Sequence, residues 1–303
     1  MRRSIQDIIY APLYGLFYLL ALLPLPVLYV IANFIYFIVY RVVRYRVKVV
    51  RDNLKQSFPQ KNEEALLGIE KDFYRHFANY MVETIKLLHI SDAEMRRRME
   101  FVDAEVVDRF ITQGRSVMLL LGHYGNWEWI PSLTMWCAAP PQLQPGQVYR
   151  PLRNEWFDRF FLRLRSHFGT KCVPKNDIYR VLSGYRREGK VSLTGFMADQ
   201  TPSPQNIHHW VSLFNRPTAA ITGFEKVAKK LDMAVVYIDV EILRRGYYRA
   251  TFQLLEENPT QVPEFDITNR YYAALQRTLD RAPYAWLWSH KRWKHTPSSN
   301  TTI

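Results

Sequence analysis

The run Leu119-Leu120-Leu121-Gly122-His123-Tyr124-Gly125-Asn126-Trp127-Glu128 decides how the rest of the chain is read. Its apolar first half extends back to Ser116 and is short enough for a buried strand. The chain then turns at a histidine between two glycines, and Asn126 is a favoured N-cap with Glu128 in the first turn behind it. This predicts a strand over 116–121 and a helix over 127–136, and in α/β proteins sites gather where such strands end. On one continuous helix, residues five apart stand roughly 140° from each other. The break at Gly125 and Asn126 instead lets Glu128 fold back toward His123. A carboxylate against imidazole fixes the tautomer and stabilises the imidazolium, which frees the second nitrogen to deprotonate an alcohol. Main-chain N–H groups at the helix start are available to a developing oxyanion. The same spacing also describes a core histidine beside a helix-capping glutamate, and spacing alone leaves both readings open.

Outward from this switch, strand-like and helical runs alternate. Strands fit 148–149, 172–173, 191–196, 234–243 and 248–255, the last two joined by a turn near Arg244-Arg245-Gly246. Helices fit 61–89, 155–168, 177–187, 218–231 and 264–281, with Ser91 or Asp92 capping one more. The alternation argues an α/β domain with a central mixed β-sheet flanked by helices.

Toward the N-terminus, residues 8–40 contain no Asp, Glu, Lys or Arg. One helix of that length would measure roughly 50 Å, against about 30 Å for a bilayer core. Pro24 and Pro26 divide it, because proline removes a helical hydrogen bond and clashes with the preceding turn. Two apolar helices joined by a kink result: a shallow hairpin, or one span followed by an interfacial helix. Arg2 and Arg3 precede the segment and Arg41, Arg44, Arg46 and Lys48 follow it. Basic residues on both flanks put both on the cytoplasmic side and favour the hairpin. A membrane anchor is therefore expected over 1–48, a catalytic domain over 49–295 and a frayed tail over 296–303.

The chain of 303 residues carries a net charge of +13, which favours anionic partners, and its 48% hydrophobic content argues against disorder. Its two cysteines, Cys137 and Cys172, suggest no disulfide framework. Adjacent His208 and His209 lack a ligand set at metal spacing, so no metal is expected. No nucleic-acid motif accompanies the positive charge, and no nucleic-acid partner is expected.

His123 and Glu128 together resemble the His-x4-Asp/Glu signature of glycerolipid and lipid A acyltransferases. Val148-Tyr149-Arg150-Pro151-Leu152-Arg153-Asn154, with Asp158 beyond it, is similar to a Tyr-Arg-Pro-x-x-Asn segment. Met197-Ala198-Asp199-Gln200 resembles an Asp-Gln motif, and residues 213–219 loosely resemble a Phe-Phe-Gly-x-x-Ala block with Asn215 in place of glycine. Residues 286–294 resemble a closing Trp-x-His-x-Arg-Trp-Lys element. The ordered set covers nearly the whole chain and resembles the late acyltransferases of lipid A synthesis, the lauroyl/myristoyl transferase family. That resemblance implies a glycerol-3-phosphate acyltransferase-like fold. It also implies direct transfer, without an acyl-enzyme and without a cofactor, from acyl carrier protein (acyl-ACP as co-substrate) to a hydroxyl of a lipid A precursor. The setting it implies is the inner-membrane lipid surface, with the domain facing the cytoplasm.

Arg150 and Arg153 are candidates to hold a phosphate, since guanidinium forks match phosphate oxygens, or are surface ion pairs. Asn154 joins them in the motif. Asp199 and Gln200 follow a strand and either orient the head group or form a turn. The strip around Trp288, His290, Lys291 and Trp293 suits a lipid interface. The clusters at Arg159, Arg163 and Arg165, and at Arg186 and Arg187, suit an acidic carrier protein or a solvated face. An acyltransferase using acyl-CoA on another glycolipid or phospholipid, and a non-catalytic protein that binds anionic lipid, are the rival readings.

Overall fold

The structure, a computed structural model, describes residues 5–297. Arg2, Arg3 and the tail from residue 298 lie outside them. In chain order the helices are α1 (Ile5–Leu22), α2 (Leu25–Tyr36), α3 (Val47–Ser57), α4 (Glu63–Lys86), α5 (Asp92–Arg98), α6 (Glu105–Thr112), α7 (Glu155–Arg165), α8 (Ile178–Arg187), α9 (Gly223–Leu231) and α10 (Asp266–Arg281). The strands are β1 (Met99–Val102), β2 (Val117–Leu121), β3 (Leu143–Tyr149), β4 (Lys171–Pro174), β5 (Val191–Met197), β6 (Trp210–Leu213), β7 (Arg216–Ala219), β8 (Ala234–Arg244) and β9 (Tyr247–Glu256).

Seven strands form one sheet in the order β1-β9-β8-β2-β5-β3-β4. Only the β8–β9 hairpin is antiparallel; every other pair is parallel. The expected mixed sheet with flanking helices is therefore present. β2 lies at its centre and every residue of it is buried, which explains a sequence that is apolar throughout rather than alternating.

Three local expectations fail. The helix expected over 127–136 is instead a turn followed by a 3₁₀ segment over Ile130–Met135, with Pro131 near its start. Asn126 does not cap it, because its side chain is drawn to Glu83. The helix expected from 218 starts at Gly223, since Thr218 and Ala219 belong to β7. That strand pairs with β6 across a two-residue turn in which Phe214 and Asn215 both take positive φ. Asparagine tolerates this conformation, so it serves where glycine would be expected.

At the N-terminus the chain breaks at Pro24 as expected. α2 runs along α4, and a π-helical stretch over Phe37–Val42 extends it. α1 also packs on α4 and reaches α7 through Tyr10 on Trp156 and Phe17 on Phe160. The two apolar helices thus take their main contacts from the domain rather than closing a hairpin on each other. Lys86, buried at the end of α4, donates to the carbonyls of Ala21 and Leu23 (both 2.9 Å). An ammonium there satisfies orphan carbonyls of α1 and opposes the negative end of its dipole. Leu25–Val42 is long and apolar enough to cross a membrane, and Val30, Phe34 and Phe37 on it are exposed.

Candidate active site

His123 lies just beyond β2 and Asp199 just beyond β5. The two strands are parallel neighbours in a register that pairs Leu121 with Met197. Continuing that register by two residues sets 123 beside 199, so the strand pairing alone brings them together. The Nδ1 of His123 is 2.6 Å from Asp199 Oδ1, and its main-chain N–H donates to Oδ2 at 3.0 Å. Trp286 Nε1 also donates to Oδ2 (2.7 Å), and Arg292 Nε donates to the Asp199 carbonyl (2.6 Å). Asp199 is fully buried. Burial alone would raise its pKa, but the His123 ring, the Arg292 guanidinium and the His123 N–H outweigh that and hold it well below the usual carboxylate range. An ionised acceptor beside Nδ1 selects the tautomer that carries its proton there. Gln200 Nε2 stands 3.2 Å from the Nε2 of His123.

The glycine before the histidine is a packing requirement. A Cβ at Gly122 would come within 2.7 Å of Leu275 Cδ1 and 3.5 Å of Asp199 Oδ2. Gly125 takes a φ of +61°, which turns the chain away from the strand.

Glu128 does not fold back onto His123, contrary to expectation. It is buried and forms a two-pronged pair with Arg165, at 2.8 Å from Nε and 2.6 Å from Nη2. Tyr80 donates to it more weakly at 3.4 Å. The reason is the missing helix: the chain leaves Asn126 in a turn that carries residue 128 toward α7. Glu128 still acts on the site indirectly, because Tyr80 stacks on Trp127 (4.1 Å) and the Trp127 ring stands against His123 (5.3 Å). Arg165, expected in a surface cluster, is thereby a half-buried partner. Its own burial works against the charge, but Glu128 more than offsets this and raises its pKa.

Asn154 caps α7 by accepting from the N–H groups of Trp156 and Phe157, and it donates to Tyr10 (3.0 Å). Arg150 and Arg153 are exposed near the start of that helix. The closing aromatic element is not an interface strip. Trp286, Trp288 and Arg292 are almost wholly buried, because the chain crosses the ends of β2 and β5 and stacks Arg292 on Trp286 at 3.4 Å. Burial brings the Arg292 pKa down to about 10 and that of His290 to about 4. Trp286 and Arg292 are the site residues that sequence reasoning missed. Their place in an Asp-Gln and Trp-His-Arg motif pair was the available signal.

A narrow apolar cavity runs under the site along one face of β2, β5 and β3. Leu119, Leu121, Trp127, Leu193, Gly195 and Met197 are among its lining residues.

A parallel-centred α/β domain with an imidazole at its strand ends, a buried carboxylate behind it and an apolar cavity beneath has the layout of an enzyme acting on an apolar-chain substrate. The family model for bacterial lipid A biosynthesis acyltransferases matches residues 4–295, and the chain belongs to that family. It is therefore a transferase of lipid A biosynthesis. It is similar to the lipid A biosynthesis palmitoleoyltransferase of Escherichia coli strain K12, 23% identical over 95% of this chain and 92% of the relative. The lipid A biosynthesis acyltransferase of Shigella flexneri shows the same identity and coverage. The lauroyltransferase of Escherichia coli strain K12 is 23% identical over 93% of this chain and 90% of its own.

Proposed function

We propose that this protein moves a fatty acyl group from an acyl carrier protein thioester to a hydroxyl on a lipid A precursor, with His123 as general base. One observation carries the reading: the His123 ring is held at the strand ends by buried Asp199, 2.6 Å from its Nδ1, with Nε2 turned to the other side. Nε2 takes the hydroxyl proton as that oxygen attacks the thioester carbonyl, forming the new C–O bond. The tetrahedral adduct collapses, the C–S bond breaks, and the departing thiolate recovers the proton from the imidazolium. Asp199 holds the ring and stabilises its charged form; Gln200 yields its contact with Nε2 to the substrate hydroxyl. Glu128 and Arg165 position Trp127 rather than touching the proton in flight. The apolar cavity receives the acyl chain, and exposed Arg150 and Arg153 meet phosphate on donor or acceptor. The exposed apolar face of α2 seats the enzyme in the inner membrane with the domain on the cytoplasmic side, where both substrates meet.

The test is transfer by purified full-length protein in detergent micelles, supplied with acyl carrier protein thioester and a lipid A precursor and followed by mass spectrometry. His123→Ala is expected to cut the rate by about 10²–10⁴-fold, the usual worth of a general base, with the fold retained. Full activity in that variant, or activity only with acyl-CoA and another glycolipid, would overturn the reading.

A further inference from the structure

α4 carries a series of buried polar side chains that link two parts of the molecule. On one side stand the apolar N-terminal helices; on the other stands the loop bearing His123. Glu83 sits at the crossing and is completely buried. Its Oε1 accepts from Tyr29 of α2 at 2.9 Å. Its Oε2 accepts from Asn126 at 2.8 Å and from Tyr248 of β9 at 2.7 Å. Its carbonyl accepts from Trp129 Nε1 at 3.1 Å. One turn earlier on α4, Tyr80 reaches Glu128 (3.4 Å), and two turns earlier His76 Nε2 donates to the Gly125 carbonyl (3.1 Å). The loop from Gly125 to Trp129 is thus held from α4 at four places.

A buried carboxylate with no cation bonded to it is expensive. Three donors converge on it, and a packed apolar residue of similar size would cost less for stability alone. Two of those donors come from the elements a catalyst of this kind must keep in register: the helix facing the bilayer and the loop bearing the base.

We infer that Glu83 is a positioning residue that couples the seating of α2 to the placement of His123, so that the rate of acyl transfer depends on the Tyr29–Glu83–Asn126 chain of hydrogen bonds. The inference rests on the acyl-transfer reading above. Loss of the Tyr29 contact leaves Glu83 short of one donor, and the carboxylate then shifts toward Tyr248, drawing Asn126 and the loop with it. A misplacement of about 1 Å at a reacting group costs up to 10²-fold in rate.

The experiment measures kcat and KM for full-length wild type, Tyr29→Phe, Glu83→Gln, Asn126→Ala and the Glu83→Gln/Asn126→Ala double variant in micelles. Asn33→Ala is the control, since it removes another α2 contact, with Arg245, without touching Glu83. Expected are a fall in kcat of about tenfold for Tyr29→Phe and up to 10²-fold for Glu83→Gln, with KM nearly unchanged. The double variant should be no slower than its slower parent, and the control should match wild type. Rates within twofold of wild type in Tyr29→Phe and Asn126→Ala, with only the melting temperature lowered, would overturn the inference. So would effects that multiply in the double variant. Tyr29→Phe and Asn126→Ala decide the matter if Glu83→Gln fails to fold. An inactive wild type would count against acyl transfer itself, whereas an active wild type with unaffected variants counts against the coupling alone.

Discussion

Two buried carboxylates flank His123, and they do different work. Asp199 lies 76 residues away in sequence and touches the ring; Glu128 lies five residues away and does not. Asp199 is surrounded by an imidazole, an indole and a guanidinium stacked on that same indole. Glu128 is matched by a guanidinium that closes on it from both prongs. The difference teaches that register across a parallel sheet places a partner more reliably than closeness along the chain. It also separates an acid bonded to the imidazole from an acid that holds a wall.

The comparison breaks if the two acids give the same phenotype. Asp199→Asn should lower kcat by about 10³–10⁴-fold, because the amide favours the wrong tautomer, while far-ultraviolet circular dichroism stays native. Glu128→Ala should show itself first in stability. It leaves the half-buried Arg165 without its partner, at a cost of about 2–3 kcal/mol in denaturant unfolding. Glu128→Met with Arg165→Met should recover most of that loss, and no comparable double change should rescue Asp199→Asn.

A second histidine sharpens the contrast. His76 is buried without an acid beside it, and burial pulls its pKa down to about 4 from the usual 6.5. The unfolded chain takes up this proton below pH 6.5, whereas the folded chain resists until about pH 4. Folded stability is therefore whole above pH 6.5 and declines as pH falls toward 4, by about 3 kcal/mol for this group. His76→Asn should flatten that slope in thermal melts recorded between pH 7 and 4. A slope left unchanged would assign the acid sensitivity elsewhere.

Much of the architecture was legible because buried strands and amphipathic helices write their periods directly. β2, β5, β8 and β9, and the helices α4, α7, α8 and α10, stand within a few residues of where periodicity puts them. His123 was legible too, since a strand ending in Gly-His is a local pattern. Its partner was not, because nothing along the chain states that β2 will pair with β5 with Leu121 against Met197. The turn after Asn126 was misread as a helix: the asparagine side chain is turned to donate to Glu83, so its oxygen caps nothing. The β6–β7 hairpin escaped notice because Phe214 and Asn215 make its turn without the usual glycine. The strip around Trp288, His290, Lys291 and Trp293 resembled an interface by composition, and only the return of the chain across the strand ends buries Trp288.

The hydrogen bonds that complete Asp199 come from residues 87 and 93 positions later in the chain. During synthesis, which runs from the N-terminus, the apolar helices and β2 emerge long before those donors exist. Until they arrive, the acid is an ordinary solvated carboxylate and the imidazole has no fixed tautomer. On the proposed mechanism the nascent chain therefore stays chemically silent, and it gains its base only when the last aromatic stretch folds home.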